Sequence, residues 1–280
     1  MSIKPLNIVG PTIVGLSLFA VAGCAGNLKP GPYTSHKETI PLAGAHVDLT
    51  LVKPESTPTA PPVLVVFASG DGGLHGASLA VLQRLAEQGH WVAGFSSPDA
   101  FQGIKKASGV PNYAAARGLF VSIVKQAEGA LALSDQTPII VTGMSRGASV
   151  VVAATGDPTL QPHIAGAVAI ALTREFDELT IPDQAKRLPG VSMDAEGRIQ
   201  TYPALQRLGS IPLAIIQSTN DSYVPSAESR RLLGPDTPTR RLYEVESRNH
   251  SFGGGRDALM RDLDDAMKWI AGLKPASLNR

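Results

Sequence analysis

The stretch Gly143–Gly147, with the sequence Gly-Met-Ser-Arg-Gly, limits what this chain can fold into more than any other stretch does. The β-branched run Pro138–Thr142 precedes it, and an apolar run of helical character begins at Ala148. A serine between two glycines at a sharp strand-to-helix turn is held in a strained conformation, and the glycines leave room for the turn to pack closely. The pattern therefore predicts a strand, a tight turn that presents Ser145 as a nucleophile, and a helix.

Strand-like and helix-like segments alternate along the rest of the chain. The continuous apolar run Val63–Phe67 is typical of a strand buried on both faces of a parallel sheet, whereas His46–Val52 alternates and predicts an edge strand. Further strands are predicted over Trp91–Phe95, Pro138–Thr142, Ile164–Leu172, Pro212–Gln217 and Arg240–Val245, and helices over Ala77–Gln88, Tyr113–Glu128, Ser145–Thr155, Ser226–Leu233 and Arg256–Leu273. This alternation predicts an α/β fold with a doubly wound, mostly parallel sheet and helices on both faces.

Composition narrows the classes of protein. The chain has 280 residues, 43% of them hydrophobic, and a formal net charge of +1, so it can bury the core of one large domain. Its basic residues are scattered, which argues against a nucleic-acid partner. A single cysteine excludes an internal disulfide, and the sequence makes no prediction of the oligomeric state.

The first residues differ in kind from the rest. An apolar segment follows Lys4, is too short for a membrane span of about 20 residues, and ends in small residues before Cys24. It resembles a bacterial lipoprotein signal peptide, in which the cysteine becomes the lipidated first residue. We expect a signal peptide over residues 1–23, a lipid-anchored tether over 24–44 and a catalytic domain over 45–275, placed in the cell envelope and facing the periplasm. The alternatives are an ordinary secretory signal and an uncleaved anchor with an incidental cysteine.

One segment, Thr173–Ser210, breaks the alternation. It lacks clean periodicity and contains several prolines and glycines. Long irregular excursions in compact domains are usually lids or binding loops. We expect a cap-like segment over residues 173–210 that shapes the substrate site, with a plain surface excursion as the alternative.

Two residues downstream of Ser145 complete a nucleophilic site. Asp221 and His250 each lie in a loop directly after a predicted strand. A serine hydroxyl needs a base to accept its proton, and an acid fixes the tautomer of that base. We predict His250 as the base and Asp221 as the acid; the alternatives are a surface histidine and a turn aspartate. Among the other histidines, only His75 also lies in an expected site loop.

A place for the negative charge of the tetrahedral intermediate is the third requirement. The backbone N–H groups of Arg146, which follows the nucleophile, and of Asp71, in the loop after Val63–Phe67, are predicted to form the oxyanion hole. Gly70 and Gly72 in the same loop are predicted to bind the substrate. The loop has neither a Walker lysine nor a spaced dinucleotide fingerprint, so no phosphate cofactor is expected, and no spacing of ligands indicates a metal.

Taken together, the order Ser145, Asp221, His250 and the surrounding elements resemble the α/β-hydrolase superfamily over Val63–Leu273. The segments Phe67–Gly73 and Ala171–Phe176 are similar to the VirJ-type bacterial virulence-protein family. This chain departs from that family at the nucleophile turn, where VirJ-type proteins usually carry Gly-Tyr-Ser-Phe-Gly.

The resemblance implies an α/β-hydrolase fold and an exported serine hydrolase, with aminoacyl-phosphatidylglycerol as a substrate at the membrane. A general esterase or lipase of the cell envelope is the first alternative. A hydrolase-like periplasmic binding or assembly factor with an idle serine is the second. The guanidinium of Arg146, if it faces the pocket, is expected to attract an anionic group such as a lipid phosphate.

Overall fold

The computed structural model describes residues 27–42, 45–56, 61–108, 113–156, 158–176, 192–195 and 198–273. The predicted signal peptide and Cys24 lie outside these residues. No helix within the described ranges is both long and apolar enough to cross a bilayer.

Eight strands form one sheet, in the order β1-β2-β4-β3-β5-β6-β9-β10. They are β1 (Tyr33–Leu42), β2 (Ala45–Pro54), β3 (Leu64–Ala68), β4 (Trp91–Phe95), β5 (Ile139–Met144), β6 (Ile164–Ile170), β9 (Leu213–Ser218) and β10 (Arg240–Val245). The strands β1 and β2 pair antiparallel, β2 also pairs antiparallel with β4, and the other neighbours are parallel. The predicted doubly wound, mostly parallel sheet is confirmed.

Helices cover both faces of this sheet. They are α1 (Gly76–Glu87), α2 (Ser97–Ser108), α3 (Tyr113–Ala130), α4 (Arg146–Thr155), α5 (Thr201–Ala204), α6 (Ser226–Leu233) and α7 (Arg256–Gly272). Alternate residues of β3 divide between two cores: Val65 and Phe67 pack with α1 and α7, whereas Leu64 and Val66 pack with α2, α3 and α4. This alternation follows from the two-residue period of a strand, and burial on both faces explains the continuous apolar runs.

The stretch predicted as a tether, residues 24–44, is in part a strand, and this corrects the expected domain boundary. β1 pairs with β2 from Tyr33 opposite Pro54 to Leu42 opposite Ala45, so β1 and not β2 is the edge strand. Residues 34–37 are exposed, and the polar sequence therefore hides the strand pattern. Even the residues before β1 contact the domain, because the Lys29 N–H donates to Gln83 Oε1 at 2.9 Å.

The other edge of the sheet, strand β10, is protected by side chains. The Leu242 N–H donates to Asp236 Oδ1 at 3.2 Å, and Arg230 Nη2 donates to the Leu242 carbonyl at 3.3 Å. Arg230 and Asp236 also pair with each other, at 2.5 Å. The backbone groups of Leu242 that point away from the sheet are thus already hydrogen-bonded.

The segment predicted to be cap-like is described only in part. Two short antiparallel strands, β7 (Glu175–Phe176) and β8 (Ile199–Gln200), lead into α5 and a 3₁₀ turn over Leu205–Leu208. The side chains of this part, including Phe176, pack into the core beside α4. Residues 177–191 and 196–197 lie outside the described residues, and the proposed lid character stays a prediction.

Candidate active site

Ser145 occupies the turn between β5 and α4. Its backbone has φ 55° and ψ −120°, a conformation that residues other than glycine rarely adopt. The turn is fixed from both sides, because the Ser145 N–H donates to the Ile170 carbonyl at 2.8 Å and the Ser145 carbonyl accepts from the Ala148 N–H at 2.9 Å. The serine is therefore strained and held at the carboxyl end of the central strands, as the sequence predicted.

The two glycines of the motif are required by close packing. A Cβ on Gly143 would lie 2.3 Å from the Gly147 carbonyl oxygen, and one on Gly147 would lie 2.1 Å from the Ala68 carbonyl oxygen. Both distances are far below van der Waals contact with backbone atoms. The nucleophile turn can thus approach the end of β3 only without side chains at these positions.

His250 bridges Ser145 and Asp221. Its Nε2 lies 2.8 Å from Ser145 Oγ, and its Nδ1 lies 2.7 Å from Asp221 Oδ2. Since an ionised carboxylate only accepts hydrogen bonds, Nδ1 carries the proton in the neutral ring and Nε2 is left to accept the serine proton. The structure brings together the three residues that the sequence analysis selected, from three separate loops.

The loop that carries His250 is tightly folded upon itself. The Arg248 N–H donates to the Gly253 carbonyl at 2.8 Å, and Asn249 Oδ1 accepts from the N–H groups of Ser251 and Gly253 at 3.1 and 3.0 Å. Phe252, at φ 57°, is fully buried. These contacts fix the position of the imidazole by folding the loop rather than by placing it on a helix or strand.

Asp221 is a buried carboxylate whose two oxygens both accept hydrogen bonds. Oδ1 accepts from the N–H groups of Tyr223 and Val224 at 2.8 and 3.2 Å. Oδ2 accepts from His250 and, at 3.0 Å, from Gln217 Nε2. A buried carboxylate with several donors can remain ionised, so Asp221 can stabilise the imidazolium that forms during attack.

The loop after β3 lies directly against the nucleophile. A Cβ on Gly70 would be 3.1 Å from Ser145 Cβ and 3.3 Å from the Met144 carbonyl oxygen, so this glycine permits a close approach. The Gly70 N–H donates to Ser78 Oγ at 3.2 Å, whereas within the described residues the Asp71 N–H has no acceptor. The Asp71 N–H thus remains the candidate oxyanion donor of this loop, and Arg146, at the N-terminus of α4, the other.

The side chains of these two candidates form an ion pair. Arg146 Nε lies 2.6 Å from Asp71 Oδ1, and the carboxylate is 60% exposed. The guanidinium that we expected to attract an anionic substrate group therefore already has an anionic neighbour, with which such a group would compete. The pair also connects the β3 loop to the nucleophile turn, a contact between residues 75 positions apart in the sequence.

Two other residues of the sequence after β3, Gly72 and His75, have little around their side-chain positions. A Cβ on Gly72 would meet nothing within 4 Å, so no close contact requires a glycine there. His75 is exposed and precedes α1. Among the described residues, no group of three or more His, Cys, Asp or Glu side chains could hold a metal ion.

Sequence reasoning missed two residues beside the acid and the base. Gln217 donates to Asp221, and the Tyr223 ring meets the His250 ring edge to face, with ring centroids 4.7 Å apart at 65°. Tyr223 is 63% exposed, and no other large hydrophobic side chain among the described residues is exposed. The signals were a glutamine at the end of an apolar strand and an aromatic residue in a catalytic loop.

A mostly parallel sheet with a serine at the β5–α4 turn, and the acid and histidine after the last two strands, is the α/β-hydrolase fold. No protein-family model matches the sequence, and no curated protein matches it either. Solved structures do match.

A protein assigned as a dienelactone hydrolase from Klebsiella pneumoniae is similar with a TM-score of 0.62 at 12% identity, over 86% of this chain and 99% of its own. An α/β serine hydrolase without lid from Xanthomonas campestris has a TM-score of 0.59 at 16% identity, over 89% and 100% of the two chains. Est1E from Butyrivibrio proteoclasticus has a TM-score of 0.58 at 14% identity, over 84% and 99%. These similarities support the fold.

Proposed function

We propose that this protein is a serine hydrolase that cleaves carboxylic esters through an acyl-enzyme on Ser145. The observation that carries the proposal is the hydrogen-bonded series from Ser145 through His250 to the buried Asp221, at 2.8 and 2.7 Å. The strained backbone of Ser145 adds to it, because strain at a single non-glycine residue persists where the surrounding structure enforces it. An idle serine in a binding protein would need none of these features.

In the acylation step, Ser145 Oγ attacks the ester carbonyl while its proton passes to His250 Nε2. The C–O bond to the alcohol then breaks, and the same proton passes from Nε2 to the departing oxygen. Water repeats the sequence on the acyl-enzyme: its proton goes to His250, its oxygen bonds to the acyl carbon, and Ser145 recovers the proton as the acid is released. Asp221 keeps its negative charge throughout and stabilises the imidazolium.

The oxyanion hole of this reaction is formed by the backbone N–H groups of Asp71 and Arg146. Both lie where strands β3 and β5 end beside Ser145, and donors fixed in advance stabilise the charge that develops on the carbonyl oxygen. The ion pair between the two side chains connects the two segments that carry these donors. The loss of one such donor costs about 10²–10³-fold in turnover.

The choice of an ester bond draws on structural neighbours. Est1E has been solved with ferulic acid bound, and another similar structure, with a TM-score of 0.57 at 15% identity, is a methylesterase. An acylaminoacyl peptidase from Pyrococcus horikoshii shares the fold as well, at 14% identity. The fold therefore accommodates both ester and peptide chemistry, and the ester assignment remains our proposal.

For the natural substrate and location, we propose an exported, lipid-anchored enzyme that acts on aminoacyl-phosphatidylglycerol. The pattern before Cys24 and the resemblance of the Ser69–Gly73 loop support it. A general esterase is the second candidate, and one observation favours it. Because Arg146 is paired with Asp71, the site offers a lipid phosphate less positive charge than the sequence suggested.

A fluorophosphonate probe tests the hydrolase assignment. We expect the probe to form one covalent adduct with the folded wild-type protein, which peptide mass spectrometry assigns to Ser145, because among the serines that the structure describes this one lies 2.8 Å from a histidine nitrogen with an acid behind it. Heat-unfolded protein is the control and should not react. An adduct elsewhere, or no adduct while short nitrophenyl esters are still hydrolysed, would show that Ser145 is not the nucleophile.

The anchor and the substrate can be tested together with Cys24→Ser. We expect the purified variant to hydrolyse soluble nitrophenyl esters like the wild type, but to leave the membrane fraction and lose the mass of the lipid. Cells without the protein should accumulate aminoacyl-phosphatidylglycerol, and the wild-type gene should reverse this better than the variant. An unchanged lipid composition in cells without the protein would favour the general esterase. An unchanged membrane fraction of Cys24→Ser would contradict the lipid anchor.

A further inference from the structure

Gln217 is a fully buried amide at the carboxyl end of β9, beside the acid of the proposed triad. Its Oε1 accepts from the Leu172 N–H at 3.0 Å. Its Nε2 donates to Asp221 Oδ2 at 3.0 Å and also to the Val224 carbonyl. One side chain therefore contacts the acid, the turn that follows it and the residue just before the irregular segment that begins at Thr173.

These three partners allow the amide only one orientation. The Leu172 N–H is a donor and requires the amide oxygen, whereas the Val224 carbonyl and the Asp221 carboxylate are acceptors and require the NH₂ group. A flipped amide would place donor against donor once and acceptor against acceptor twice. Since unsatisfied polar groups are costly when buried, the flipped state is disfavoured at all three contacts and Gln217 presents its N–H groups to Asp221.

The hydrogen bond acts on the oxygen that matters for the base. Asp221 Oδ2 accepts from both Gln217 Nε2 and His250 Nδ1, while Oδ1 is held by the two backbone N–H groups of its own turn. With donors on both oxygens the carboxylate cannot rotate about its C–C bond without losing contacts. The lone pair of Oδ2 that faces His250 is thereby kept in a fixed direction.

We propose that Gln217 is a positioning residue of the triad: by donating to Asp221 Oδ2 from a fixed amide, it orients the carboxylate that holds His250. This inference rests on the proposed serine hydrolase function. It differs from a purely structural role in one respect. A buried amide that only bridged strands would affect the stability of the fold, whereas an orienting donor affects turnover at a given stability.

The residue type is constrained accordingly. In Gln217→Met, a side chain of similar length donates nothing to Asp221 and leaves the Leu172 N–H without its acceptor. In Gln217→Glu, the shape and the acceptor are retained, but the amide N–H groups are replaced by a carboxyl group, which donates to Asp221 only while it carries a proton. Gln217→Met is therefore the variant that removes the donor under all conditions.

Steady-state kinetics with a short nitrophenyl ester test the inference. We expect both variants to lower kcat about 10–100-fold with KM within about twofold, by analogy with outer residues that orient metal-bound histidines. Thr155→Val is the matched control, because it removes a buried hydroxyl that bonds the Val151 and Val152 carbonyls at the far end of α4. It should lower the melting temperature and leave kcat unchanged. A kcat of Gln217→Met within twofold of the wild type would overturn the inference.

A measurement on the wild-type protein covers the case in which the variants do not fold. With ¹⁵N-labelled glutamine, the Gln217 side-chain protons should exchange slowly with solvent and should shift when a fluorophosphonate on Ser145 replaces the hydroxyl proton that faces His250 Nε2. Fast exchange, or signals that do not respond, would overturn the positioning role. A wild-type protein without Ser145-dependent turnover would instead refute the proposed function, which the exchange rates do not address.

Discussion

Replacing Ser145 by alanine is expected to lower kcat for nitrophenyl esters roughly 10⁴–10⁶-fold while the fold is kept, since members of a triad act as a unit. The reason is the geometry at Oγ, which lies 2.8 Å from His250 Nε2 and is replaced by a hydrogen. Stopped-assay hydrolysis and circular dichroism on the same preparation would measure both quantities. Residual turnover above 1% of the wild type, with a purified and folded variant, would contradict the assignment.

A glycine at the same position separates catalysis from strain. The alanine variant keeps the unfavourable φ of 55°, whereas Ser145→Gly relieves it. Strain of this kind costs about 1–3 kcal/mol, which the glycine variant avoids. Glycine also increases the entropy of the unfolded chain, and this lowers the stability of the variant by about 0.4–1 kcal/mol. The net gain is up to about 2.6 kcal/mol, so Ser145→Gly should melt up to about 10 °C above Ser145→Ala, with both inactive. Equal melting temperatures would mean that the turn relaxes around alanine.

Replacing Gly147 by alanine is expected to damage the fold and the activity together. The new Cβ would lie 2.1 Å from the Ala68 carbonyl oxygen and 2.5 Å from that of Ser69, so the end of β3 must move. Overpacking against backbone falls at the upper end of its range, about 3 kcal/mol or more, which corresponds to a fall in melting temperature of roughly 6–12 °C. Because the loop that moves carries Asp71, turnover should fall as well.

Gly118→Ala is the matched control for this experiment. Gly118 lies on α3, is exposed, and a Cβ there would meet nothing within 4 Å. Alanine in a helix is favoured over glycine by about 0.8–1.0 kcal/mol, so this variant should be slightly more stable and fully active. Equal melting temperatures of Gly147→Ala and Gly118→Ala would contradict the conclusion that close packing of the nucleophile turn requires glycine at position 147.

The bounds of β4, α6 and β10 agree with prediction. β4 is buried from Val92 to Phe95, so the core dictates its residues, whereas α6 is largely polar and its bounds follow from Pro225 before it and Gly234 after it. The strand β1 was missed since its residues between the buried Tyr33 and Ile40 are mostly polar, and backbone pairing with β2 holds them in place. Helix α2 was not predicted, although Ala100, Phe101 and Ile104 pack in the core at helical spacing.

The same distinction holds at the site. Ser145, Asp221 and His250 could be selected because their roles require particular residue types after particular strands. The ion pair between Arg146 and Asp71 could not, since it depends on how two loops approach in space. The role of Gln217 lay between these cases: a glutamine within an apolar strand is a visible signal, but its partners are set only by the folded turn around Asp221.

The side chains that occupy the outer edge of β10 bear on how molecules of this protein meet one another. An exposed strand edge is a template on which a second chain can add a strand and begin to aggregate. Here Asp236 and Arg230 already hold the outward N–H and carbonyl of Leu242, and an incoming strand would first have to displace an ion pair. Continuous sheet growth across this edge is thereby discouraged at high protein concentration.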